Sequence, residues 1–153
     1  QELVKQLNGV IDKNANGEKF VTFFIAQFHP EKQQLEYINC GHNPALIYHH
    51  PDNSHQWLAA QIPGLGMIPQ LPTFQSSWVD FTPGSEMLCY TDGLVEIENP
   101  AQEAFGEAGI LGVLKAMKAK GDLKTSACLM QAIEEFRGGM PFIDDIAILS
   151  VLT

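Results

Sequence analysis

The start of the chain changes from a helical to a strand-like pattern of apolar positions. Residues 1–13 repeat their apolar side chains with a period near that of an α-helix, which predicts an amphipathic helix with apolar positions at Leu3, Val4, Leu7, Val10 and Ile11. The turn-forming run Asn14-Ala15-Asn16-Gly17 is expected to end it. Residues 19–28 are rich in aromatic and β-branched types with little polar interruption, which predicts a strand covered on both faces.

Short apolar runs bounded by turn residues predict further strands over 33–39, 45–50, 56–58, 73–81 and 85–91. The connections at 41–44 and 82–84 are short, so the strands that they join are expected to form hairpins. The segment 62–72 contains three prolines and two glycines, and this composition predicts a surface loop.

Beyond Asp92 the helical period returns. It predicts two helices, one around 110–117 and one over 123–136, before a last strand over 146–152. The order of helix, strands, two helices and strand predicts an α+β fold with helices packed on antiparallel sheets. A length of 153 residues with 45% hydrophobic residues predicts a single domain over 1–153.

The charge balance excludes some partners. The chain has 18 acidic and 9 basic residues and a net charge of −9, so neither nucleic acid nor an anionic membrane is an expected partner. No apolar run has the roughly 18 residues of a membrane span. The cysteines Cys40, Cys89 and Cys128 are odd in number and widely spaced, which is typical of buried thiols in a reducing compartment, and we expect a cytoplasmic protein.

Two acidic positions lie at the ends of apolar strands. Asp92 follows a strand and precedes Gly93, and Asp144 and Asp145 directly precede the last strand. Carboxylates on such turns are common ligands of Mg²⁺ and Mn²⁺, and a pair of these ions can generate a hydroxide nucleophile and neutralise a phosphoryl group. The residues alone leave another interpretation open, in which the aspartates only close turns or cap the elements beside them.

The histidines offer two further hypotheses. His42 could protonate a leaving oxygen, or it could simply hold its turn together. His49, His50 and His55 flank a turn at residues 52–53, but their spacing fits no closed zinc site, so a solvated loop is expected there.

Several short elements follow one another along the chain, namely Phe20-Val21-Thr22, Gly41-His42-Asn43-Pro44-Ala45-Leu46, Pro83-Gly84, Tyr90-Thr91-Asp92-Gly93-Leu94-Val95-Glu96, Phe105-Gly106 and Asp144-Asp145-Ile146. In kind and in order these elements resemble those of bacterial phosphatase domains similar to stage II sporulation protein E. The resemblance implies the PPM-type sandwich of two packed antiparallel β-sheets flanked by helices, with two Mn²⁺ or Mg²⁺ ions at one end. It implies that Asp92 and Asp144 are metal ligands on converging turns, with Gly93 in the adjacent turn and Asp145 a weaker candidate. It also implies a mainly architectural role for His42.

This sequence departs from the family pattern at three places. An acidic turn of the Gly-Asp-Val-x-Gly type, which the family carries upstream, is not among these residues, and the chain starts at Gln1 without an initiator methionine. We therefore expect the carboxy-terminal three-quarters of the domain, without its first strands. Such a segment should by itself bind metal weakly, turn over little phosphoprotein and associate with a second copy. In addition, Ala147 replaces a usual threonine, and Ser85 replaces a frequent aspartate.

The implied function is metal-dependent hydrolysis of phosphoserine or phosphothreonine on a signalling protein by metal-activated water, with no catalytic side chain forming a phospho-enzyme. The implied substrate is a phosphorylated anti-sigma-factor antagonist, and an upstream sensor or receiver domain is expected in the same chain. The Cys-x₅-Arg spacing of cysteine phosphatases is absent, since Arg137 lies nine residues after Cys128. The alternative left open is a pseudophosphatase, in which the same fold serves as a binding or adaptor module without metal.

Overall fold

In a computed structural model that describes residues 1–15, 18–120 and 124–153, with the backbone alone for 118–120, the chain combines helices with two antiparallel sheets. The helices are α1 (Glu2–Ala15), α2 (Gly106–Lys120) and α3 (Thr125–Phe136). The strands are β1 (Phe23–His29), β2 (Gln34–Cys40), β3 (Ala45–His49), β4 (Ser54–Leu58), β5 (Ser77–Asp80), β6 (Ser85–Tyr90) and β7 (Ile148–Leu152). This arrangement confirms the predicted α+β class.

The first of two compact units comprises residues 1–47 and 56–83 together with Thr153. Its sheet has the strand order β1-β2-β5, and β1 and β2 form an antiparallel hairpin in which Phe23 pairs with Cys40 and His29 with Gln34. Helix α1 lies on this sheet, because its apolar stripe shares one core cluster with both strands through Val4, Leu7, Ile11, Phe23, Ile25, Ile38 and Cys40.

The proline- and glycine-containing segment 62–72 is irregular, as predicted, but it is anchored more firmly than a surface loop. Ile62 and Leu65 are buried in the core of the first unit. The buried side chain of Asn8 holds the segment from α1: its amide donates to the carbonyl of Ile68 at 3.1 Å, and its oxygen accepts from the amide of Gly66 at 2.8 Å. A buried polar side chain thus supplies the hydrogen bonds that an irregular backbone needs.

The second unit comprises residues 48–55 and 84–152. This unit contains β6 and β7 of the four-stranded sheet, whose strand order is β4-β3-β6-β7. Strand β6 pairs antiparallel with β7 from Glu86 opposite Leu152 to Tyr90 opposite Ile148. Helix α2 packs against α3, and α3 contacts β7. The two helices bury one side chain per turn on facing stripes, namely Ile110, Leu114, Leu129 and Ile133.

The predictions of hairpins around residues 41–44 and 82–84 are both wrong. Strands β2 and β3 belong to different sheets, and so do β5 and β6. The chain leaves β2 through a turn in which the amide of His42 donates to Asn39 Oδ1 at 2.9 Å. A short connection suits a step from one sheet to another as well as it suits a hairpin, and spacing cannot separate the two.

The first strand is shorter and more exposed than the pattern predicted. It begins at Phe23 rather than at residue 19, and Phe20, Val21 and Phe28 are 54%, 46% and 41% exposed. The prediction of a strand covered on both faces is wrong, because no residue of β1 is buried: Phe23 and Ile25 are half-buried against the α1 cluster, and Phe28 on the opposite face is exposed. Of the turn predicted over residues 14–17, Asn14 and Ala15 are the last residues of α1, and residues 16–17 lie outside the described residues. The predicted start of the second late helix at Leu123 also lies outside them.

Candidate metal centre

Asp92 and Asp144 lie on two turns at the same end of the β6–β7 pair. Strand β6 ends at Tyr90, opposite the first residue of β7, Ile148. Asp92 begins a single 3₁₀ turn, Asp92–Leu94, two residues beyond Tyr90, and Asp144 lies four residues before Ile148. Because the strands are antiparallel, the end of one strand and the start of the other meet at one edge. The expected convergence of the two turns is therefore confirmed.

Gly93 marks the closest approach of the two turns. A Cβ atom added at Gly93 would lie 2.7 Å from the carbonyl oxygen of Asp145 and 3.2 Å from that of Asp144. Ordinary van der Waals contact begins at 3.4 Å, so a side chain does not fit there unless the backbone moves. The glycine is thus required by close backbone approach, which is one of the two general reasons for glycine in a turn.

The carboxylates themselves face solvent and carry local hydrogen bonds only. Asp92 Oδ1 accepts from the amide of Gly93 at 3.1 Å, and Asp144 Oδ1 accepts from the amide of Asp145 at 2.7 Å. Asp92, Asp144 and Asp145 are all exposed, and none of them forms an ion pair with a lysine or arginine that the structure describes. Like charges gathered at one edge without a basic partner favour a bound cation.

The chemistry of this donor set fits a hard divalent cation in part. It offers carboxylate oxygens and no nitrogen or sulfur, which is the ligand preference of Mg²⁺ and Mn²⁺. Within the described residues, however, no three His, Cys, Asp or Glu side chains are close enough together to form a metal site. Mg²⁺ is usually held by one or two carboxylates and keeps several of its waters. Asp92 and Asp144 could therefore supply the carboxylate ligands of such a hydrated ion.

His42 lies in the first unit, on the turn that follows β2. The preceding Gly41 has φ +67°, and a Cβ there would lie 2.6 Å from the amide nitrogen of Gly64, so glycine is required for both conformation and space. His42 Nδ1 lies 3.5 Å from Thr22 Oγ1. These contacts favour a role in holding the turn, whereas the role of His42 as an acid stays a prediction.

The histidines near residues 52–53 take separate partners. His49 Nδ1 lies 2.9 Å from Asp52 Oδ1, and His50 Nε2 lies 2.7 Å from Glu86 Oε2. The amide of Ser54 donates to the carboxylate of Asp52, which, with His49, holds the pKa of Asp52 well below its usual range. His49 and His50 therefore each have a carboxylate partner of their own.

The buried Glu86 was not foreseen from the sequence. Its side chain is 1% exposed, contacts His50 and accepts a hydrogen bond from the Ser150 hydroxyl. A glutamate within a strand normally points to solvent. The sequence indicated the burial of Glu86 only through strand alternation, which places it on the same side of β6 as the apolar residues Leu88 and Tyr90.

Two of the three cysteines, Cys40 and Cys89, are poor nucleophiles. Burial raises the pKa of the Cys40 thiol to about 11 and that of the Cys89 thiol to about 11. A catalytic cysteine needs a lowered pKa, because the thiolate is the reactive form. Neither thiol therefore suits a cysteine phosphatase, in agreement with the missing Cys-x₅-Arg spacing.

Solved structures that share the fold of this chain are phosphatase domains. The PP2C domain of SiaA from Pseudomonas aeruginosa superposes with a TM-score of 0.66 and 19% identity, over 80% of this chain and 47% of that one. The catalytic domain of the serine/threonine protein phosphatase PstP, determined with two manganese ions, gives a TM-score of 0.62 and 14% identity, over 94% of this chain and 65% of that one. The chain therefore has the PP2C phosphatase fold.

The family follows from sequence. The model of the stage II sporulation protein E family matches residues 1–153, so the chain belongs to this family. Protein IcfG of Synechocystis sp. is 30% identical over 133 residues, which cover 86% of this chain and 20% of IcfG. Phosphoserine phosphatase RsbU of Bacillus subtilis is 30% identical over 95 residues, which cover 62% of this chain and 28% of RsbU. The chain thus spans between a fifth and a third of the length of these relatives. No helix in the described ranges is long and apolar enough to cross a bilayer.

Proposed function

We propose that this chain is part of a metal-dependent phosphatase that hydrolyses phosphoserine or phosphothreonine on a signalling protein, with Asp92 and Asp144 as metal ligands. The observation that carries the proposal is the convergence of their turns at one end of β6 and β7, with Gly93 against the backbone of residues 144–145. The family supports the same conclusion, and the relative RsbU is named a phosphoserine phosphatase.

The residues of the chain have distinct roles in this proposal. Asp92 and Asp144 each direct one oxygen to the following backbone amide, which fixes the carboxylate and leaves its second oxygen for a cation. Asp145 is a further candidate ligand, because its carboxylate is exposed at the same turn. Divalent cations, when bound, lower the pKa of water and offset the charge of a transferring phosphoryl group.

The proposed substrate is a phosphorylated anti-sigma-factor antagonist, which rests on the resemblance to the family rather than on contacts of this chain. The proposed cofactor is Mn²⁺ or Mg²⁺, as in the related structure that contains two manganese ions. The net charge of −9 gives this proposal a physical reason, since an acidic protein needs cations to attract a phosphorylated substrate.

The test is phosphate release from a phosphoserine protein by the full-length protein in Mn²⁺, beside its Asp92→Asn and Asp144→Asn variants. The amide keeps the size of the carboxylate and removes its charge. Loss of an outer-shell partner of a metal typically costs about 10–100-fold in affinity or activity, so loss of a charged ligand should cost at least about 100-fold. Asp12→Asn on α1 removes the same charge outside the two turns and should leave the rate within about twofold of wild type.

Calorimetric Mn²⁺ titration of the same proteins separates binding from turnover. Weaker Mn²⁺ binding by Asp92→Asn together with slower hydrolysis supports the proposal. Wild-type hydrolysis by both ligand variants would show that the aspartates only form turns. Absence of both Mn²⁺ binding and phosphoprotein hydrolysis in the wild-type protein would favour the pseudophosphatase, in which the fold serves as a binding or adaptor module without metal.

A further inference from the structure

The side chain of Thr91, next to the proposed ligand Asp92, has an unusual arrangement of hydrogen bonds. Thr91 is the residue that precedes the 3₁₀ turn Asp92–Leu94, and its backbone is extended, with φ −84° and ψ 158°. A threonine in this position usually accepts a hydrogen bond from an amide of the following turn. Here the side chain makes no such capping bond.

The Thr91 hydroxyl instead contacts the other turn twice. It donates to the carbonyl oxygen of Asp145 at 2.9 Å and accepts from the amide of Ala147 at 2.9 Å. In addition, the amide of Thr91 donates to the carbonyl of Ala147 at 3.1 Å. A hydroxyl has one proton to donate and two lone pairs, so both of its functions are directed at residues 145–147.

These bonds connect the immediate neighbours of both proposed ligands. Thr91 precedes Asp92, and Asp145 follows Asp144, so each ligand is one peptide unit away from the contact. Both contacts to Ala147 use its main chain, and its methyl group is not needed for them. A carboxylate on an exposed turn can change its position easily unless the backbone is held, and cation affinity depends on how well the ligands are placed beforehand.

We propose that Thr91 is a positioning residue whose hydroxyl sets the separation of Asp92 and Asp144 and thereby the affinity of the site for a divalent cation. The proposal rests on the proposed metal function. It assigns Thr91 no contact with metal or substrate, since the hydroxyl is directed at the backbone of residues 145–147.

Two substitutions separate the hydroxyl from the shape of the side chain. Thr91→Val keeps the branched shape and removes the hydroxyl, and Thr91→Ser keeps the hydroxyl and removes a methyl group. Asp145 and Ala147 are exposed, so water can replace the lost bonds, and the Thr91 amide bond to Ala147 remains. We therefore expect the Val variant to fold. Its Mn²⁺ dissociation constant should rise about 10–100-fold, as for other residues that orient metal ligands, whereas that of the Ser variant should stay within about threefold.

The experiment is Mn²⁺ calorimetry on the full-length protein and these variants, with amide hydrogen exchange at Ala147 in metal-free protein. Faster exchange at Ala147 and weaker Mn²⁺ binding in Thr91→Val, both restored in Thr91→Ser, are the expected results. At saturating Mn²⁺ the KM for phosphoprotein should be unchanged, since Thr91 does not contact substrate. If the Val variant does not fold, Thr91→Ala removes the same hydroxyl with less bulk.

The Asp92→Asn variant in the same titration distinguishes the two proposals. Wild-type Mn²⁺ affinity in Thr91→Val, with lost affinity in Asp92→Asn, would overturn the role of Thr91 and leave the metal site standing. Wild-type affinity in Asp92→Asn as well would overturn the metal site and the positioning role together.

Discussion

Replacing Gly93 by alanine is a direct test of the contact between the two acidic turns. The added methyl group would meet two backbone carbonyl oxygens, at 2.7 Å from Asp145 and 3.2 Å from Asp144. Backbone atoms cannot rotate away as the end of a flexible side chain can. The φ angle of Gly93 lies outside the left-handed region, so the cost comes from space and not from the backbone conformation.

The size of the effect follows from these distances. To reach ordinary contact the turns must separate by about 0.7 Å, the difference between 3.4 and 2.7 Å. The same movement would lengthen the 2.9 Å bonds of the Thr91 hydroxyl to about 3.6 Å, beyond hydrogen-bonding distance. Overpacking of this kind typically costs about 1–3 kcal/mol in the free energy of unfolding. For a chain of this size, each kcal/mol lowers the melting temperature by about 2–4 °C.

The assay is thermal unfolding combined with calorimetric Mn²⁺ titration of Gly93→Ala and of a matched control, Gly112→Ala. Gly112 lies within α2, where a Cβ meets nothing within 4 Å, so alanine there should stabilise the helix by about 0.5–1 kcal/mol. We expect Gly93→Ala to melt at a lower temperature and to bind Mn²⁺ more weakly. A Gly93→Ala protein with wild-type melting temperature and Mn²⁺ affinity would refute the close approach of the turns and its importance.

Two further predictions concern stability away from the metal centre. Gly41→Ala should lower the free energy of unfolding by about 1–2 kcal/mol because of the left-handed φ of Gly41, and by about 1–3 kcal/mol more because of the clash with Gly64. Gly106 has φ +62° but open space around it, so in chemical denaturation Gly106→Ala should show only the cost of the left-handed φ. Glu86→Leu should lower the free energy of unfolding by about 1–3 kcal/mol, since it removes the hydrogen-bond partner of His50 and Ser150. Glu86→Gln should cost less, and equal values for the Leu and Gln variants would contradict a stabilising role of these hydrogen bonds.

The helices, the strands and the positions of the acidic turns could be predicted from the sequence, because all of them depend on local patterns. Periodicity located α1 and the late helices, and turn chemistry located the connections. The pairing of strands was harder, since β2 and β3 are joined by four residues and yet lie in different sheets. Such a choice depends on which faces find apolar partners in the folded chain, and this is a property of the tertiary structure rather than of the connection.

Polar side chains that serve the backbone were also not predictable. Asn8 lies between the apolar positions of the predicted amphipathic helix, and its side chain forms hydrogen bonds with the backbone of the 62–72 segment. Thr91 directly precedes the Asp92 turn in sequence, but its hydroxyl bonds to Asp145, 54 residues further along the chain. In both cases the partner is distant in sequence, so a local pattern contains no information about it.

The register of β6 and β7 is what links the buried part of the sheet to the candidate metal centre. Glu86 lies opposite Leu152, and its carboxylate reaches diagonally to the hydroxyl of Ser150, a contact that only this register provides. A slip by one residue would turn the side chains of one strand to the opposite face and would also move Ala147 away from Thr91. The same ladder therefore sets both the buried contact of Glu86 and the meeting of the Asp92 and Asp144 turns at the other end of the strands. We infer that the carboxylates can remain exposed, as a hydrated cation requires, because their placement is determined within the sheet and not by their own contacts.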